Sequence, residues 1–379
     1  MIKLENLSHK QRVLKSLSFI EPDRIPLDIG GTNVTSMHIK IEKKLKRYLG
    51  FKGRKSIIRS YTQRCVIPDE RILKYFDVDT RSIYFGESKP WKSQPDGTFI
   101  DEWGIGYKLS PDGYYYDFAS HPLKDATLED LDKYQLPNPY SERRLLGLEK
   151  RIEDLGSEYC LMLEGSRECI FGLASWLRGH EQFYMDLLIN QKFAEALMDI
   201  LLDYQKKLLG FILKRIGKDI DIVKVADDLG AQNSLIISPE TYRKLIKPRQ
   251  AELYRFIKNK CDCKIFLHSD GAIRDIIPDF IEIAIDILNP IQTSAKGMDP
   301  IQLKKEFGKK IVFWGGGVET QSTLSFGTPE EVKEDIRKKI EMFKKGGGYV
   351  FAQIHNIQPQ VPIDNILAMY KAFHKYSSY

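Results

Sequence analysis

From about residue 155 onward, short apolar runs alternate with long helical patterns, and this rhythm constrains the fold more than any other feature of the chain. The runs are Tyr159 to Leu163, Ile220 to Ala226, Lys264 to His268, Ile285 to Leu288, Lys310 to Trp314 and Tyr349 to Ile354. Most are continuous rather than alternating, as expected of parallel strands buried on both faces. The run from Ile220 is the exception, because Asp221 and Lys224 interrupt it. Between them, Gln191 to Ile216 carries apolar residues at three- and four-residue spacing. Ser238-Pro239-Glu240 and Thr328-Pro329-Glu330-Glu331 read as helix starts, with a hydroxyl N-cap and proline in the first turn. A βαβα order implies a parallel sheet with helices outside.

Each run ends in polar or glycine-rich sequence: Glu164-Gly165-Ser166, Asp227-Asp228-Leu229-Gly230, His268-Ser269-Asp270-Gly271, Asn289-Pro290, Gly315-Gly316-Gly317 and His355-Asn356. In a closed barrel these ends share one rim, where reacting groups collect. An open doubly wound sheet would also gather them on one edge. Two earlier strand candidates, Ile25 to Ile29 and Thr80 to Tyr84, favour a single (β/α)8 barrel over residues 1–379. The less regular stretch Gln94 to Asp117, rich in Gly, Tyr and Trp, reads as a hairpin or ribbon over part of the barrel mouth.

The remaining global features narrow the function class. The 379 residues suffice for a full core without staples. The net charge of +6 is small and spread out. Its densest basic stretch, Lys40 to Lys55, reads as the solvated face of a helix whose apolar side is Ile41, Leu45, Tyr48 and Leu49. Nothing resembles a nucleic-acid module. Five cysteines at irregular spacing argue against a disulfide framework and for a reducing cytoplasm. The close pair Cys261-Asp262-Cys263 is expected to be two ordinary thiols. Met1 to Asn6 is polar, and no apolar run is long enough to span a membrane.

His268 and Asp270 stand two apart at a strand end, so their side chains share a side. With His355 and Glu164 on other strand ends, they could hold a divalent metal with an open position, or act as acid and base groups. Asp227 and Asp228 repel each other unless one caps a helix and the other moves a proton or anchors a substrate. The run Trp314 to Gly317 either lets backbone approach a ligand or makes a turn. No dinucleotide fingerprint, P-loop or nucleophile elbow is present.

Several of these segments resemble the uroporphyrinogen decarboxylase superfamily. They are Glu21-Pro22-Asp23-Arg24-Ile25-Pro26, Asp227 to Gln232, Phe266 to Ile273, Asp286 to Gln292, Gly297 to Pro300, Phe313 to Gly317, Gly346 to Tyr349 and His355 to Pro359. The resemblance covers essentially the whole chain and implies a (β/α)8 barrel with a deep cleft. It implies one of two chemistries. Decarboxylases of the superfamily bind substrate carboxylates through an arginine-rich segment after the opening strand; here that place reads Leu27-Asp28-Ile29-Gly30-Gly31-Thr32-Asn33, without arginine. Corrinoid-dependent methyltransferases use zinc held by a His-x-Cys pair and a late cysteine. Here His268 matches the histidine, Asp270 replaces the cysteine, and His355 falls near the late position.

The leading expectation is methyl transfer from a small methoxylated or methylated donor to a corrinoid on a partner protein. Zinc would be held by His268, Asp270, His355 and Glu164, with Asp227, Asp228 and His355 catalytic. Asp28, Asn289, Gln292, Trp314 and Gly317 are the substrate-contact candidates. The alternatives are metal-free decarboxylation of a tetrapyrrole or related substrate, and a non-catalytic barrel that binds a corrinoid protein or tetrapyrrole. The resemblance also implies a homodimer.

Overall fold

In the computed structural model, which describes residues 7–165 and 168–379, seven parallel strands form one curled sheet. Ser166 of the second strand end, and Met1 to Asn6, lie outside the described residues. The strands are β1 (Thr80–Tyr84), β2 (Cys160–Glu164), β3 (Ile222–Ala226), β4 (Lys264–His268), β5 (Ile287–Asn289), β6 (Val312–Trp314) and β7 (Tyr349–Val350). They pair in sequence order from β1 to β7. The opening segment closes the ring between β7 and β1. Leu27 bridges Phe351 in parallel, Asp28 N donates to Phe351 O, and Asp79 N donates to Leu27 O. The expected strand Ile25 to Ile29 is thus the eighth stave, held by single bridges rather than a full ladder.

Period-two alternation sorts each strand into an inner and an outer face. Cys160, Met162, Ile222, Phe266, Ile287, Val312, Trp314 and Val350 pack together inside the barrel. Val13 and Leu17 of the first helix (His9–Leu17) join this inner cluster. Leu161, Leu163, Val223, Val225, Ile265 and Leu267 face the helical layer instead. The same alternation places Glu164, Lys224 and His268 on the inner face, above the apolar layer. Lys224, which breaks the apolar run in sequence, therefore points into the barrel.

The helix signals hold. Gln191–Ile216 is one helix. Ser238 accepts from Thr241 N, and Thr328 forms a capping box with Glu331. The basic stretch forms the helix Ile39–Tyr48 with Ile41 and Leu45 buried. Tyr48 is on its exposed side, however, and Lys46 is buried, paired with Glu42 and Asp69. Cys261 and Cys263 are joined as a disulfide rather than being two thiols. The tight loop before β4 brings their Cα atoms to 5.3 Å, within bridging reach.

The expected ribbon is a four-stranded antiparallel meander: Lys92–Ser93, Phe99–Ile100, Gly106–Leu109 and Tyr116–Ser120. Its rings Tyr107, Tyr116 and Phe118 line a cavity together with His268 and His355, so the ribbon walls the barrel mouth. No helix among the described residues is long and apolar enough to cross a membrane.

Candidate functional site

Strand register assembles the site. Registering β4 on β5 sets His268 opposite Asn289. The His268 Nδ1 hydrogen bonds to Asn289 Oδ1 at 2.8 Å, while Asn289 Nδ2 donates to Trp314 O at 3.0 Å. Asn289 must therefore present its carbonyl to the ring, and His268 carries its proton on Nδ1. The Nε2 edge then faces Asp270, whose Oδ2 is 3.6 Å away. His355 mirrors this arrangement. Its Nδ1 bonds to Asn356 Oδ1 at 2.5 Å, an oxygen that also accepts from Gln358, and its Nε2 lies 3.8 Å from Asp270 Oδ2. One ligand atom from each of His268, Asp270 and His355 can be chosen so that all lie within 4.8 Å of one another. His355 has φ 61°, a left-handed conformation that a side chain resists and that recurs at functional positions.

The electrostatics follow from this convergence. Burial opposes the charged form of His268, yet the carboxylates of Asp270 and Asp228 raise the imidazole to about 9. Burial would raise Asp270, but His268 and His355 outweigh it and hold the carboxyl at about 2. Burial lowers His355. A divalent cation could replace these protons, because both Nε2 atoms already point at the carboxylate and both Nδ1 sides are anchored.

Two adjacent acids divide their labour. Asp227 is fully buried and accepts from Ile170 N, Gly172 N and Gln250 Nε2. It caps the helix Phe171–Arg178, which precedes it in the chain, and is remote in role from the catalytic part expected of it. Burial pushes its carboxyl up to about 6. Asp228 faces the cleft: Oδ1 accepts from Asp270 N at 3.1 Å and lies 3.9 Å from His268 Nε2. Burial and the Asp270 carboxylate raise its pKa.

The other expected site residues support the site from outside it. Glu164 lies outside the cluster of His268, Asp270 and His355. It is buried against Arg59 and Lys224, the latter at 3.3 Å, and accepts from Asn33 N, so its charge is already compensated. Asp28 lies in the core, accepting from Gly31 N, Thr80 Oγ1 and Trp314 Nε1. Trp314 is fully buried beneath Phe266. Gln292 Oε1 accepts from Gly271 N and so fixes the turn after Asp270. Gly317 packs where a Cβ would meet the Phe351 ring at 2.4 Å. None of Asp28, Asn289, Gln292, Trp314 or Gly317 lines the cavity containing the histidines.

That cavity, about 190 Å³, is lined by two charged residues absent from the expected set, Glu168 and Lys224. Burial and Asp228 push the Glu168 carboxyl up to about 8, and its Oε2 has no hydrogen-bond partner among the described residues. Lys224 was legible as an inward position by its period-two relation to Ile222. Glu168 sits in the loop beyond β2, where no periodicity indicates direction.

A family model described as Uroporphyrinogen decarboxylase (URO-D) matches residues 103–376. The chain belongs to the uroporphyrinogen decarboxylase family. Two relatives carry that same description. The uroporphyrinogen decarboxylase of Vesicomyosocius okutanii subsp. Calyptogena okutanii (strain HA) is 23% identical over 192 residues, 48% of this chain and 50% of that protein. That of Pseudoalteromonas translucida (strain TAC 125) is 23% identical over 252 residues, 62% of each chain. The chain thus spans between half and two thirds of the length of the curated relatives it matches. A solved structure, a methyltransferase from Methanosarcina mazei, superposes over 98% of this chain and 99% of its own with a TM-score of 0.67 at 15% identity. That likeness is one of fold, and within the uroporphyrinogen decarboxylase family it agrees with the barrel described above.

Proposed function

We propose that this member of the family is a methyltransferase acting on a small methylated or methoxylated donor, with a divalent metal, zinc by preference, held by His268, Asp270 and His355. The observation that carries this reading is the convergence of two Nε2 atoms on one carboxylate, each imidazole anchored through Nδ1. Three ligands facing a cleft leave a coordination position open, as catalytic rather than structural zinc sites do. Bound there, the metal would supply Lewis-acid pull on the donor's heteroatom. Asp228 holds the Asp270 backbone in place, and Glu168 presents a carboxyl to the cavity, where a proton for the departing heteroatom is needed. Tyr107, Tyr116, Phe118 and Trp176 give the donor an apolar wall that keeps water out. The methyl acceptor in this reading is a corrinoid on a partner protein.

The family name favours decarboxylation as the second reading. A polyanionic tetrapyrrole finds no arginine in the segment Leu27 to Asn33, and Asp28 of that segment is spent in the core. The test is metal analysis of purified protein loaded with zinc and then desalted. One zinc per chain, lost in His268→Ala, is expected, together with methyl transfer from a methoxylated donor to reduced cobalamin. A protein that keeps its fold, retains no zinc and releases carbon dioxide from a carboxylated tetrapyrrole would overturn the proposal.

A further inference from the structure

A second cavity, about 490 Å³, lies beside the cleft, and the residues that line it define a ligand chemistry. Four cations surround it, Arg59, Arg64, Lys89 and Arg143, against one carboxylate, Glu87. Two of the cations are committed elsewhere. Arg59 is buried against Glu164 and Ser82, and Arg64 donates to Gly113 O at 2.6 Å. Lys89 and Arg143 are exposed and make no side-chain hydrogen bond or ion pair among the described residues. Among the described residues, the charges of Lys89 and Arg143 at this cavity have no acidic partner.

The walls are aromatic. Tyr61 and Trp91 meet at 5.2 Å, and Phe99 meets Tyr116 edge-on at 5.6 Å. Such faces hold a flat ring, and the cations at the rim hold its anionic substituent. This wall continues into the donor cleft. Tyr116 lines both cavities, and Trp91 stacks at 4.9 Å on Tyr107, which lines the cleft. A ring held here would share the Tyr116 wall with the cavity that the histidines line.

We propose that this cavity is a binding site for an aryl carboxylate, its ring against Trp91 and Tyr116 and its carboxylate between Lys89 and Arg143. The proposal rests on the preceding reading only in taking this ligand to be the methyl donor, a methoxylated aromatic acid; the binding site stands on the cavity itself.

The test is titration calorimetry of the full chain with 4-methoxybenzoate, and with uncharged methoxybenzene of the same ring and ether. The benzoate is expected to bind at least about tenfold more tightly. The double variant Lys89→Ala/Arg143→Ala should erase that preference, weakening the benzoate about tenfold, the size two solvent-exposed charge contacts supply, and leaving methoxybenzene unchanged. Both residues are exposed, so the variant is expected to fold. His268→Ala should bind the benzoate as the parent does, which separates the two ideas: loss of zinc or of methyl transfer would sink the function, not this site. Equal affinity for both probes, binding of neither, or a double variant that binds the benzoate unchanged would overturn the proposal.

Discussion

Asn289 fixes the tautomer of His268: its Oδ1 accepts the Nδ1 proton at 2.8 Å, because its own Nδ2 is held by Trp314 O. A residue outside the cleft thereby decides which nitrogen faces it. Replacing Asn289 with alanine leaves a buried N–H unpartnered and frees the ring to turn. Zinc affinity is expected to fall about 10- to 100-fold with the far-ultraviolet spectrum unchanged, measured by competition with a chromophoric chelator. Unchanged affinity would show that the tautomer is set elsewhere.

The barrel is closed through Asp79. Its carboxylate is fully buried, bonded to Arg12 at 2.7 Å, Arg24 at 2.7 Å, His9 and Leu27 N. Burial opposes its charge, but His9, Arg24 and Arg12 hold its pKa below the usual carboxylate value. Asp79→Ala strands these cations and frees the opening segment, with an expected cost of about 3–5 kcal/mol in urea unfolding. Because the folded pKa is depressed, this contribution is present above about pH 4 and lost as pH falls through the folded value. A cost below about 1 kcal/mol would reduce the network to surface-like pairs.

Lys304 supplies the opposite sign. Burial lowers its ammonium to about 8, although Nζ donates to Gly347 O and Glu21 lies near. Between about pH 8 and the unfolded value near 10.4, the unfolded chain binds more protons, so stability rises with pH there. Lys304 is partly exposed, so the gain is discounted to about 1 kcal/mol. Chemical denaturation at pH 7 and pH 10 should show the parent gaining on Lys304→Met. A gap that does not move with pH would refute the depressed value.

Gly317 distinguishes packing from ligand contact. A methyl there would sit 2.4 Å from the Phe351 ring and 2.8 Å from Ala352 O. Gly317→Ala should destabilise by about 1–3 kcal/mol, seen as a lower thermal midpoint. Full stability with weakened ligand binding would return Gly317 to the cleft.

The limits of sequence reading show at Glu164 and Glu168. Glu164 ends β2 and Glu168 stands in the loop beyond it, and the strand-end position made Glu164 the candidate. Register with β3 puts Glu164 beside Lys224, where it is neutralised, while Glu168 reaches the cavity from the loop. Asp227 and Asp228, both expected to be catalytic, are placed apart: Asp227 accepts from a helix N-terminus and Asp228 lines the cleft. The helix that Asp227 caps precedes it in sequence, a contact that no local pattern encodes.

The alternation of apolar runs with helical stripes determined the parallel barrel. Strand-end polarity determined that His268, Asp270 and His355 share one rim, because period and burial are local properties that a chain carries in its order of residues. Tertiary structure decided the rest. It chose which nitrogen of each imidazole faces Asp270, committed Asp28 and Trp314 to each other in the core, and set the ribbon's rings over the mouth. These outcomes depend on register between strands and on hydrogen bonds across long sequence separations, and so they exist only once the ring has closed.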